Sequence, residues 1–308
     1  MQKLTVLLRR SNLIMPANRL DFVDKAWLRG ADAITLDLED SVSESKKQIA
    51  RDQIKQSIPV VGKGMSDVLV RINNTHELLE LDLKSSVLSG LAGIILPKAE
   101  TVENIVQVDK IISELERERN IPLGKISINL VIETAKGVIN ALDLATSTSR
   151  IGTMSVGHED LSLDLEIGYE DQRSEVLNSI RYQMIIVARA AGVTPLGLMG
   201  SVADLNLVSF RENAIRSKAS GFKGAMAINP SQVLILNEVF SPTRAEVEES
   251  EIIIRSFEAG SAEGKGVVKA GELMIDKPVY LRARSIVERA KIIGELEHRR
   301  KQIVESSF

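Results

Sequence analysis

The sequence of 308 residues contains no cysteine, which excludes disulfides, thiolate metal sites and cysteine nucleophiles. Aromatic residues make up only 3% of the chain, which argues against an aromatic platform for stacking bases or sugars. The formal net charge of −3 leaves no basic excess for nucleic acid or an anionic membrane. Together these absences disfavour nucleic-acid-binding, membrane-surface and thiol-based functions.

Long hydrophobic runs and glycine-rich nucleotide motifs are missing as well. No stretch approaches the roughly 18 apolar residues that a membrane-spanning helix needs. The apolar run near the N-terminus is short, and Arg9-Arg10 follow it instead of preceding it, so it is not typical of a signal peptide. No GxGxxG or GxxxxGK(S/T) pattern opens a helix, which disfavours a dinucleotide or P-loop site. Because neither a membrane-spanning stretch nor a signal-peptide pattern is found, we expect a cytoplasmic protein.

Short apolar runs alternate with charged, amphipathic stretches through most of the chain. The predicted strands are Val6 to Met15, Ala33 to Leu38, Val68 to Ile72, Gly93 to Leu96, Ile126 to Ile132, Thr153 to Val156, Thr194 to Met199 and Ala225 to Ile228. The predicted helices are Leu20 to Leu28, Ser43 to Ile58, Glu77 to Leu88, Val102 to Arg119, Val138 to Ala145, Asp171 to Ala191, Leu205 to Ala219 and Ser231 to Val239. Eight such strand–helix units predict a parallel sheet closed into a (β/α)₈ TIM barrel.

The last part of the chain follows another pattern, and we place the domain boundary after residue 242. A helix from Thr243 to Ala259 leads to a glycine-rich turn. A small hairpin pairs Val267 to Lys269 with Glu272 to Ile275, and a final helix runs from Lys277 to Glu305. Residues 243–308 are too few for an ordinary domain, so we expect a helical cap, or an arm that packs on a neighbouring subunit.

Two neighbouring predicted strands lead into carboxylates. The run from Leu130 to Ile132 is followed by Glu133, and the run from Met154 to Val156 leads to Asp160. The carboxyl edge of a parallel sheet is where such folds place their chemistry. Two carboxylates on adjacent strand ends are a reasonable Mg²⁺ site with open positions for substrate and water.

Almost all of the predicted strands, including these two, end in polar residues. These strand ends are Arg10-Ser11, Asp37 to Ser41, Arg71 to Asn73, Pro97-Lys98, Glu133-Thr134, Glu159-Asp160 and Asn229-Pro230. One such charge is readily explained as a helix cap or an ion pair. Seven sets converging on one barrel mouth indicate a functional site, because unpaired charges there are costly to desolvate.

The chemistry of these side chains indicates their roles. Arg71 suits bidentate binding of a substrate carboxylate or stabilisation of an enolate oxygen. Glu39 and Asp40 are expected to orient Arg10, Arg71 or metal-bound water. Lys98 has the chemistry of a Schiff-base nucleophile, but its charged surroundings favour an ion pair.

Eight short motifs resemble, in order, those of the citrate lyase β-subunit-like proteins. They are RRSNLIMPAN, AITLDLEDSV, LVRIN, GIILPKAE, LVIETAKGV, GHEDLSLDL, AINPSQ and GELMIDKPVYLRA. That group belongs to a wider superfamily of Mg²⁺-dependent aldolases and acyl-CoA lyases. The resemblance covers nearly the whole chain. It implies a (β/α)₈ barrel, a trimer or hexamer that exchanges C-terminal elements, and reversible carbon–carbon cleavage of a β-hydroxyacyl-CoA into an acyl-CoA and a 2-oxo acid.

The resemblance also implies roles for individual residues. Glu133 and Asp160 look like the Mg²⁺ ligands, and Arg71 resembles the residue that holds the oxo acid and steadies the enolate. Asp276 resembles an acid/base supplied by the arm of an adjacent subunit, and its position also predicts an N-cap for the last helix. Arg10 resembles a residue near the entrance for CoA and the oxo acid.

Three positions depart from the family pattern. His158 stands where small residues are common, and Asn229 stands where relatives usually carry histidine. The seventh strand reads Gly197-Leu198-Met199-Gly200-Ser201-Val202, where many relatives have an Ile-Asp pair. These positions bear on substrate identity more than on reaction type. They leave open a substrate other than citryl- or malyl-CoA, and a 2-oxo-acid aldolase that uses no CoA. A thioesterase and a non-catalytic subunit of a lyase complex are further alternatives. The other histidines, His76 and His298, are expected on the surface.

Overall fold

The computed structural model describes residues 7–168, 175–271 and 273–307. The described chain forms two compact units. One is Arg9–Phe240, and the other contains residues 241–307 together with residues 7 and 8. Parts of three predicted elements, at Val6, at Asp171 and at Glu272, lie outside the described residues.

The first unit is built on one sheet of eight parallel strands. They are β1 (Ser11–Pro16), β2 (Ala33–Asp37), β3 (Asp67–Arg71), β4 (Leu91–Leu96), β5 (Ser127–Ile132), β6 (Ile151–Val156), β7 (Thr194–Pro195) and β8 (Ala225–Ala227). Their order in the sheet is β7-β6-β5-β4-β3-β2-β1-β8. Two backbone hydrogen bonds join the outer strands: Lys223 N donates to Pro195 O at 3.0 Å and Gly197 N to Gly224 O at 2.9 Å. The sheet thereby curls back on itself, which confirms the predicted (β/α)₈ barrel.

Helices connect the strands and cover the outside of the sheet. They are α1 (Leu20–Ala26), α2 (Lys47–Gly62), α3 (Leu79–Ser86), α4 (Val102–Glu118), α5 (Ala135–Ile139), α6 (Ala141–Thr146), α7 (His158–Asp164), α8 (Glu175–Ala190), α9 (Leu207–Ser220) and α10 (Pro230–Val239). Helix α4 shows the pattern: Ile105, Val108 and Ile112 recur at helical spacing and are all buried. Burial of such a stripe against the sheet supplies the main driving force for the layered fold.

The barrel interior has a small apolar layer above a polar base. Ala33, Leu69, Ile95 and Val131 form a separate buried cluster contributed by four consecutive strands. Below it, Arg9 donates from Nε to Asp67 at 3.0 Å and from Nη1 to Asn129 Oδ1 at 2.7 Å. The acceptors belong to β3 and β5, so the buried guanidinium of Arg9 spans the amino end of the barrel.

The second unit pairs two helices and a hairpin. Helix α11 (Arg244–Ala262) is followed by β9 (Val268–Ala270), β10 (Leu273–Ile275) and α12 (Lys277–Ser306). The Phe257 and Tyr280 rings stack with centroids 4.7 Å apart, which ties α11 to α12. The predicted N-cap is confirmed, because the Asp276 carboxylate accepts a hydrogen bond from Val279 N at 3.1 Å.

Several predicted element bounds differ from the structure; for example, the predicted helix from Val138 to Ala145 is divided between α5 and α6. Strand β1 begins at Ser11, because the polar residues Ser11 and Asn12 belong to the strand and are buried. Strand β7 ends at Pro195 instead of Met199, and an irregular segment follows. The acid pair expected at the end of β6 lies instead in α7, a short helix that starts two residues after the strand.

Within the described part of the chain, no helix combines the length and the apolar character that crossing a membrane requires.

Candidate active site

A cavity of about 240 Å³ occupies the carboxyl end of the barrel. The side chains that matter for chemistry in its wall are Arg71, Glu133, His158, Asp160 and Arg181. The cavity extends into the barrel as far as Arg9 and Asn129. The structure therefore brings the predicted metal ligands and the predicted carboxylate-binding arginine to one concave site, which is the usual form of a small-molecule site.

Glu133 directly follows β5 and is only 4% exposed. Its Oε2 accepts a hydrogen bond from Lys98 N at 2.8 Å. Burial raises the pKa of the Glu133 carboxyl to about 7, and the negative charges of Glu39 and Asp160 add to the rise. The Lys98 amide and ammonium oppose this rise without outweighing it, and a divalent ion bound at the Glu133 oxygens would compensate the charge further.

Gly157 places the backbone of the β6–α7 connection against Glu133. A Cβ atom at Gly157 would lie 2.2 Å from Glu133 Oε1 and 2.4 Å from its Cγ, so any other residue would have to displace the Glu133 side chain. This close approach holds the Glu133 side chain in place and leads directly into the helix that carries Asp160. Gly157 thus positions both predicted metal ligands: its backbone contacts the Glu133 side chain, and the helix that follows it carries Asp160.

Asp160 lies in the first turn of α7 and is partly exposed. Lys98 Nζ lies 3.5 Å from Asp160 Oδ1 and 3.0 Å from Glu39 Oε1. Burial alone would lower the pKa of the Lys98 ammonium, but its hydrogen bond to Glu39 and the nearby carboxylates raise that pKa above the ordinary value. Lys98 is therefore a fixed cation. The ion-pair interpretation is confirmed, and the raised pKa disfavours a Schiff-base role.

Lys98 has a left-handed backbone, with φ of 49°. Such a conformation costs a non-glycine residue roughly 1–2 kcal/mol. In return, the residue directs its amide to Glu133 and its ammonium to Glu39 and Asp160. Strain of this kind is typical of functional sites.

Arg71 ends β3 and is held by a carboxylate that the sequence did not single out. Its Nε and Nη2 donate to Asp37 Oδ1 and Oδ2, both at 2.7 Å. Burial alone would raise the pKa of the Asp37 carboxyl, but the Arg71 guanidinium and Ser41 hold it below the usual value. The pKa of Arg71 is raised above its ordinary value, because Asp37, Glu39 and Asp40 outweigh its burial. Arg71 is thus a permanently charged, pre-oriented group.

Glu39 and Asp40 also contact Arg71, as predicted. Arg71 Nη1 lies 2.9 Å from Glu39 Oε2 and 3.4 Å from Asp40 Oδ2. The first contact is an ion pair without hydrogen-bond geometry, so Glu39 Oε2 is a buried oxygen with no hydrogen-bond donor among the described residues. Burial raises the pKa of the Glu39 carboxyl, although Arg71 and Lys98 oppose the rise.

The predicted placement of Arg10 at the mouth is wrong. Because β1 begins at Ser11, Arg10 lies at the amino end of the barrel, opposite the cavity mouth. Its Nε and Nη2 donate to Asp32 at 2.8 and 3.0 Å, and Arg10 is only 1% exposed. Arg10 therefore forms an ion pair with Asp32, whereas Glu39 and Asp40 follow the carboxyl end of β2. Asp276 belongs to the second unit, and its role as an acid/base stays a prediction.

Of the three departures from the family pattern, His158 and the β7 segment reach the cavity. His158 and Leu198 line the wall, whereas Met199 is buried elsewhere in the core. Asn229 caps α10 by accepting a hydrogen bond from Ser231 N at 2.9 Å. As predicted, His76 and His298 are exposed.

The arrangement fits a divalent cation and an anionic substrate. Glu133 and Asp160 offer hard oxygen ligands, the kind that Mg²⁺ prefers. No cluster of three or more histidine, aspartate and glutamate side chains suited to a metal occurs in the described part of the chain. Substrate and water would therefore complete the coordination. Asp37 and Arg181 were not predicted: Asp37 is the last residue of β2 and lies opposite Arg71 of β3, whereas Arg181 reads as an ordinary residue of helix α8.

Comparison with known proteins agrees with this site. The sequence model of the HpcH/HpaI aldolase/citrate lyase family matches residues 10–230. The citrate lyase subunit beta of Leuconostoc mesenteroides subsp. cremoris is 31% identical over 92% of this chain and 93% of its own. The L-malyl-CoA/beta-methylmalyl-CoA lyase of Cereibacter sphaeroides is 29% identical over 92% of this chain and 95% of its own.

A solved structure is similar as well. The citrate lyase beta subunit of M. tuberculosis, complexed with oxaloacetate and magnesium, is 26% identical with a TM-score of 0.62. The match covers 76% of this chain and 98% of that one. The family match, the identity along the chain and the barrel with its acid–acid–arginine site agree. The chain belongs to the HpcH/HpaI aldolase/citrate lyase family.

Proposed function

We propose that the protein is a Mg²⁺-dependent carbon–carbon lyase. It would cleave a β-hydroxyacyl-CoA, such as malyl-, citramalyl- or citryl-CoA, into an acyl-CoA and a 2-oxo acid, or run the reverse condensation. The observation that carries the proposal is Glu133, a buried carboxylate with a pKa of about 7 beside Asp160 and Arg71. The relatives named for citrate and malyl-CoA cleavage, and the one complexed with oxaloacetate and magnesium, support it.

The proposed reaction is a retro-aldol cleavage. Asp276 of a neighbouring subunit would accept the proton of the β-hydroxyl, whose oxygen becomes the oxo-acid carbonyl. The carbon–carbon bond breaks, and its electron pair passes to the carbon next to the thioester. Asp276 would then return the proton to that carbon. Arg71, fixed by Asp37, holds a carboxylate or the developing enolate oxygen. Bound Mg²⁺ would be held by Glu133 and Asp160 and would supply positive charge for the oxo-acid oxygens.

The proposal includes a homo-oligomer, a trimer or a hexamer, because Asp276 acts across a subunit boundary in it. It also includes a cytoplasmic location, where CoA thioesters are available as substrates. Glu39 and Asp40 orient Arg71 in this scheme, and Lys98 orients Glu39 and Asp160.

A condensation screen tests the function. Acetyl-CoA and propionyl-CoA are each combined with glyoxylate, pyruvate and oxaloacetate, with and without Mg²⁺, and products are identified by mass spectrometry. We expect a Mg²⁺-dependent hydroxyacyl-CoA from at least one pair. Asp160→Ala should lower the rate by roughly 10²–10³, the usual loss for a group that stabilises developing charge. Asp143→Ala, an exposed acid on α6, should not.

Other products would indicate other functions. Free CoA with an intact hydroxy acid would indicate a thioesterase. Turnover of oxo acids without CoA would indicate a simple aldolase. Normal Mg²⁺-dependent turnover by Asp160→Ala would contradict the assignment of the metal ligands.

A further inference from the structure

Two adjacent asparagines follow the strand that carries Arg71. Strand β3 ends at Arg71, so Asn73 and Asn74 lie just beyond it, at the carboxyl end of the barrel. Asn73 is buried and Asn74 is half-buried. Their side chains extend to opposite neighbours, Asn73 to the end of β2 and Asn74 to the end of β4. The pair therefore links three consecutive strand ends at the active-site face of the sheet.

Asn73 holds the backbone from which Glu39 extends. Its Nδ2 donates to Leu38 O at 2.8 Å, and its Oδ1 accepts a hydrogen bond from Lys47 Nζ at 2.8 Å. Lys47, the first residue of α2, is buried and also donates to Leu38 O and Glu39 O, both at 3.1 Å. The ammonium thus directs all three of its protons to protein oxygens. The peptide groups on both sides of Glu39 are fixed in this way.

Asp82 of α3 anchors Asn73 from the other side. Its Oδ2 accepts hydrogen bonds from Asn73 N at 2.8 Å and from Asn73 Nδ2 at 2.7 Å. Its Oδ1 accepts one from Arg51 Nη1 at 3.0 Å, and Asp82 is fully buried. The Asn73 amide therefore has one orientation, because Lys47 can only donate to it and the Asp82 carboxylate can only accept.

Asn74 holds the backbone of Lys98. Its Nδ2 donates to Pro97 O at 2.9 Å and to Lys98 O at 3.2 Å, and its Oδ1 accepts a hydrogen bond from Asn104 Nδ2 at 3.1 Å. Lys98 N donates to Glu133, so the peptide groups on both sides of Lys98 have partners. These hydrogen bonds retain the left-handed backbone of Lys98, with φ of 49°, which a lysine otherwise rarely adopts.

The two asparagines support the two halves of one ion pair. Glu39 Oε1 and Lys98 Nζ lie 3.0 Å apart, and each side chain extends from a backbone that one asparagine holds. Glu39 also contacts Arg71 at 2.9 Å, and Lys98 also contacts Asp160 at 3.5 Å. The Glu39–Lys98 pair therefore connects the arginine of the site with a predicted metal ligand.

We propose that Asn73 and Asn74 are positioning residues, which fix the Glu39–Lys98 ion pair between Arg71 and Asp160. They act through the backbone of Glu39 and Lys98 and not on the substrate. The inference rests on the proposed lyase function, because the charges that the asparagines position are those assigned to the oxo acid and to Mg²⁺. A purely structural role would cost stability alone, whereas a misplaced charge in the site slows the chemical step.

Asn74→Ala is the first variant, measured in the condensation reaction. It should lower kcat by about tenfold to a hundredfold, because Lys98 can relax and a displacement of about 1 Å is enough for such a loss. The KM for the oxo acid should change less than about twofold, since Asp37 still orients Arg71. Asn140→Ala is the matched control: Asn140 is also half-buried, and its Nδ2 donates at 2.9 Å to Glu100 O, two residues beyond Lys98.

Double-mutant cycles test the route of the effect. In a Lys98→Ala background, Asn74→Ala should lower kcat by less than about threefold, because no ammonium is left to misplace. Asn73→Ala should behave in the same way in a Glu39→Gln background. Fully additive losses in both cycles, or a kcat of Asn74→Ala equal to that of the control, would overturn the proposal. Should Asn74→Ala fail to fold, Asn74→Asp replaces it, since this variant keeps the shape but turns an oxygen toward two carbonyl oxygens.

Crystal structures separate this inference from the function itself. If wild type converts no pair of acyl-CoA and oxo acid, the proposed function fails. The positioning role is then judged from structures of wild type and Asn74→Ala. A variant in which Lys98 has a negative φ and its Nζ lies more than about 4 Å from the Glu39 carboxylate would support the role. A Lys98 that is unchanged between the two structures would refute it.

Discussion

At the scale of single residues, Glu133 links the stability of the protein to its metal site. Its pKa is raised from 4.5 to about 7 in the folded, metal-free chain. Between these pH values the folded protein keeps a proton that the unfolded chain has lost. The free energy of unfolding therefore falls as the pH rises from 4.5 to 7, and the loss is complete above pH 7. Its size is roughly 3 kcal/mol.

We predict that Glu133→Gln removes this dependence. In chelator at pH 8 the variant should be more stable than wild type by roughly 2–3 kcal/mol, since it buries no charge there. At pH 4.5 the two proteins should be equal. Urea unfolding followed by circular dichroism at both pH values measures this difference. Mg²⁺ should stabilise wild type at pH 8 but not the variant. A variant that is less stable than wild type at pH 8 would contradict the charge assignment.

Asp37 shows what a sequence alone can miss at this scale. Asp37 is one of five residues at the predicted end of the second strand, and the sequence predicts roles only for Glu39 and Asp40 among them. The register of β2 with β3 places Asp37 opposite Arg71. That pairing fixes the bidentate contact, and it depends on strand alignment, which no residue pattern in one strand specifies.

At the scale of elements, the connection from β6 to α7 sets the active-site geometry. One glycine there allows the chain to pass against Glu133 and then to present His158 and Asp160 from the first turn of a helix. A larger residue would have to displace the carboxylate, because a Cβ at Gly157 meets Glu133 Oε1 at 2.2 Å.

We predict that Gly157→Ala weakens Mg²⁺ binding by at least about tenfold, since even a small displacement of a ligand costs affinity. The fold should persist, because the change lies at the cavity and not in the core between sheet and helices. Calorimetric titration with Mg²⁺ measures the change. Gly152→Ala in β6 is the control, since its Cβ would meet neighbours only at 3.4 Å, an ordinary contact. Equal effects of the two substitutions would show that the crowding at Glu133 is relieved elsewhere.

The elements themselves were largely predictable, for physical reasons. Strands buried on both faces appear as short, nearly continuous apolar runs such as β2, β4 and β5, and amphipathic helices such as α4 fill the intervals. Strands β1 and β7 differ from the prediction. Strand β1 begins with polar residues because Asn12 accepts a hydrogen bond from Thr35 on β2 and Ser11 donates one to Asn237 on α10. The apolar run before the strand was therefore a misleading signal. Strand β7 is short, although Leu196 N beyond it still donates to Met154 O and Gly197 N to Gly224 O.

At the scale of the whole molecule, the proposed function requires two chains for one site. Glu133, Asp160 and Arg71 belong to the barrel unit, and Asp276 belongs to the C-terminal unit. Nothing in the sequence other than family resemblance pointed to Asp276 as more than a helix cap. Its side chain is exposed and caps α12, a position that a catalytic role would not disturb.

We predict that two inactive variants restore activity when they are combined. Arg71→Ala and Asp276→Ala should each lose turnover, because each lacks one half of the site. Hetero-oligomers formed by co-expression contain some sites with an intact barrel from one chain and an intact Asp276 from another. The regained activity is measured against each variant alone. If co-expression restores nothing although mixed oligomers form, then Asp276 serves the site of its own chain or no site at all.

The polar base of the barrel determines the order in which the products of cleavage dissociate. Arg9 stretches between Asp67 and Asn129 and stops the interior at its amino end, so the cavity is reached from the carboxyl end. A cavity of about 240 Å³ holds an oxo acid but not a CoA, which must lie over it. In cleavage the acyl-CoA should therefore leave first. Product inhibition would reveal this order: the oxo acid should compete with the hydroxyacyl-CoA for the free enzyme, and the acyl-CoA should not.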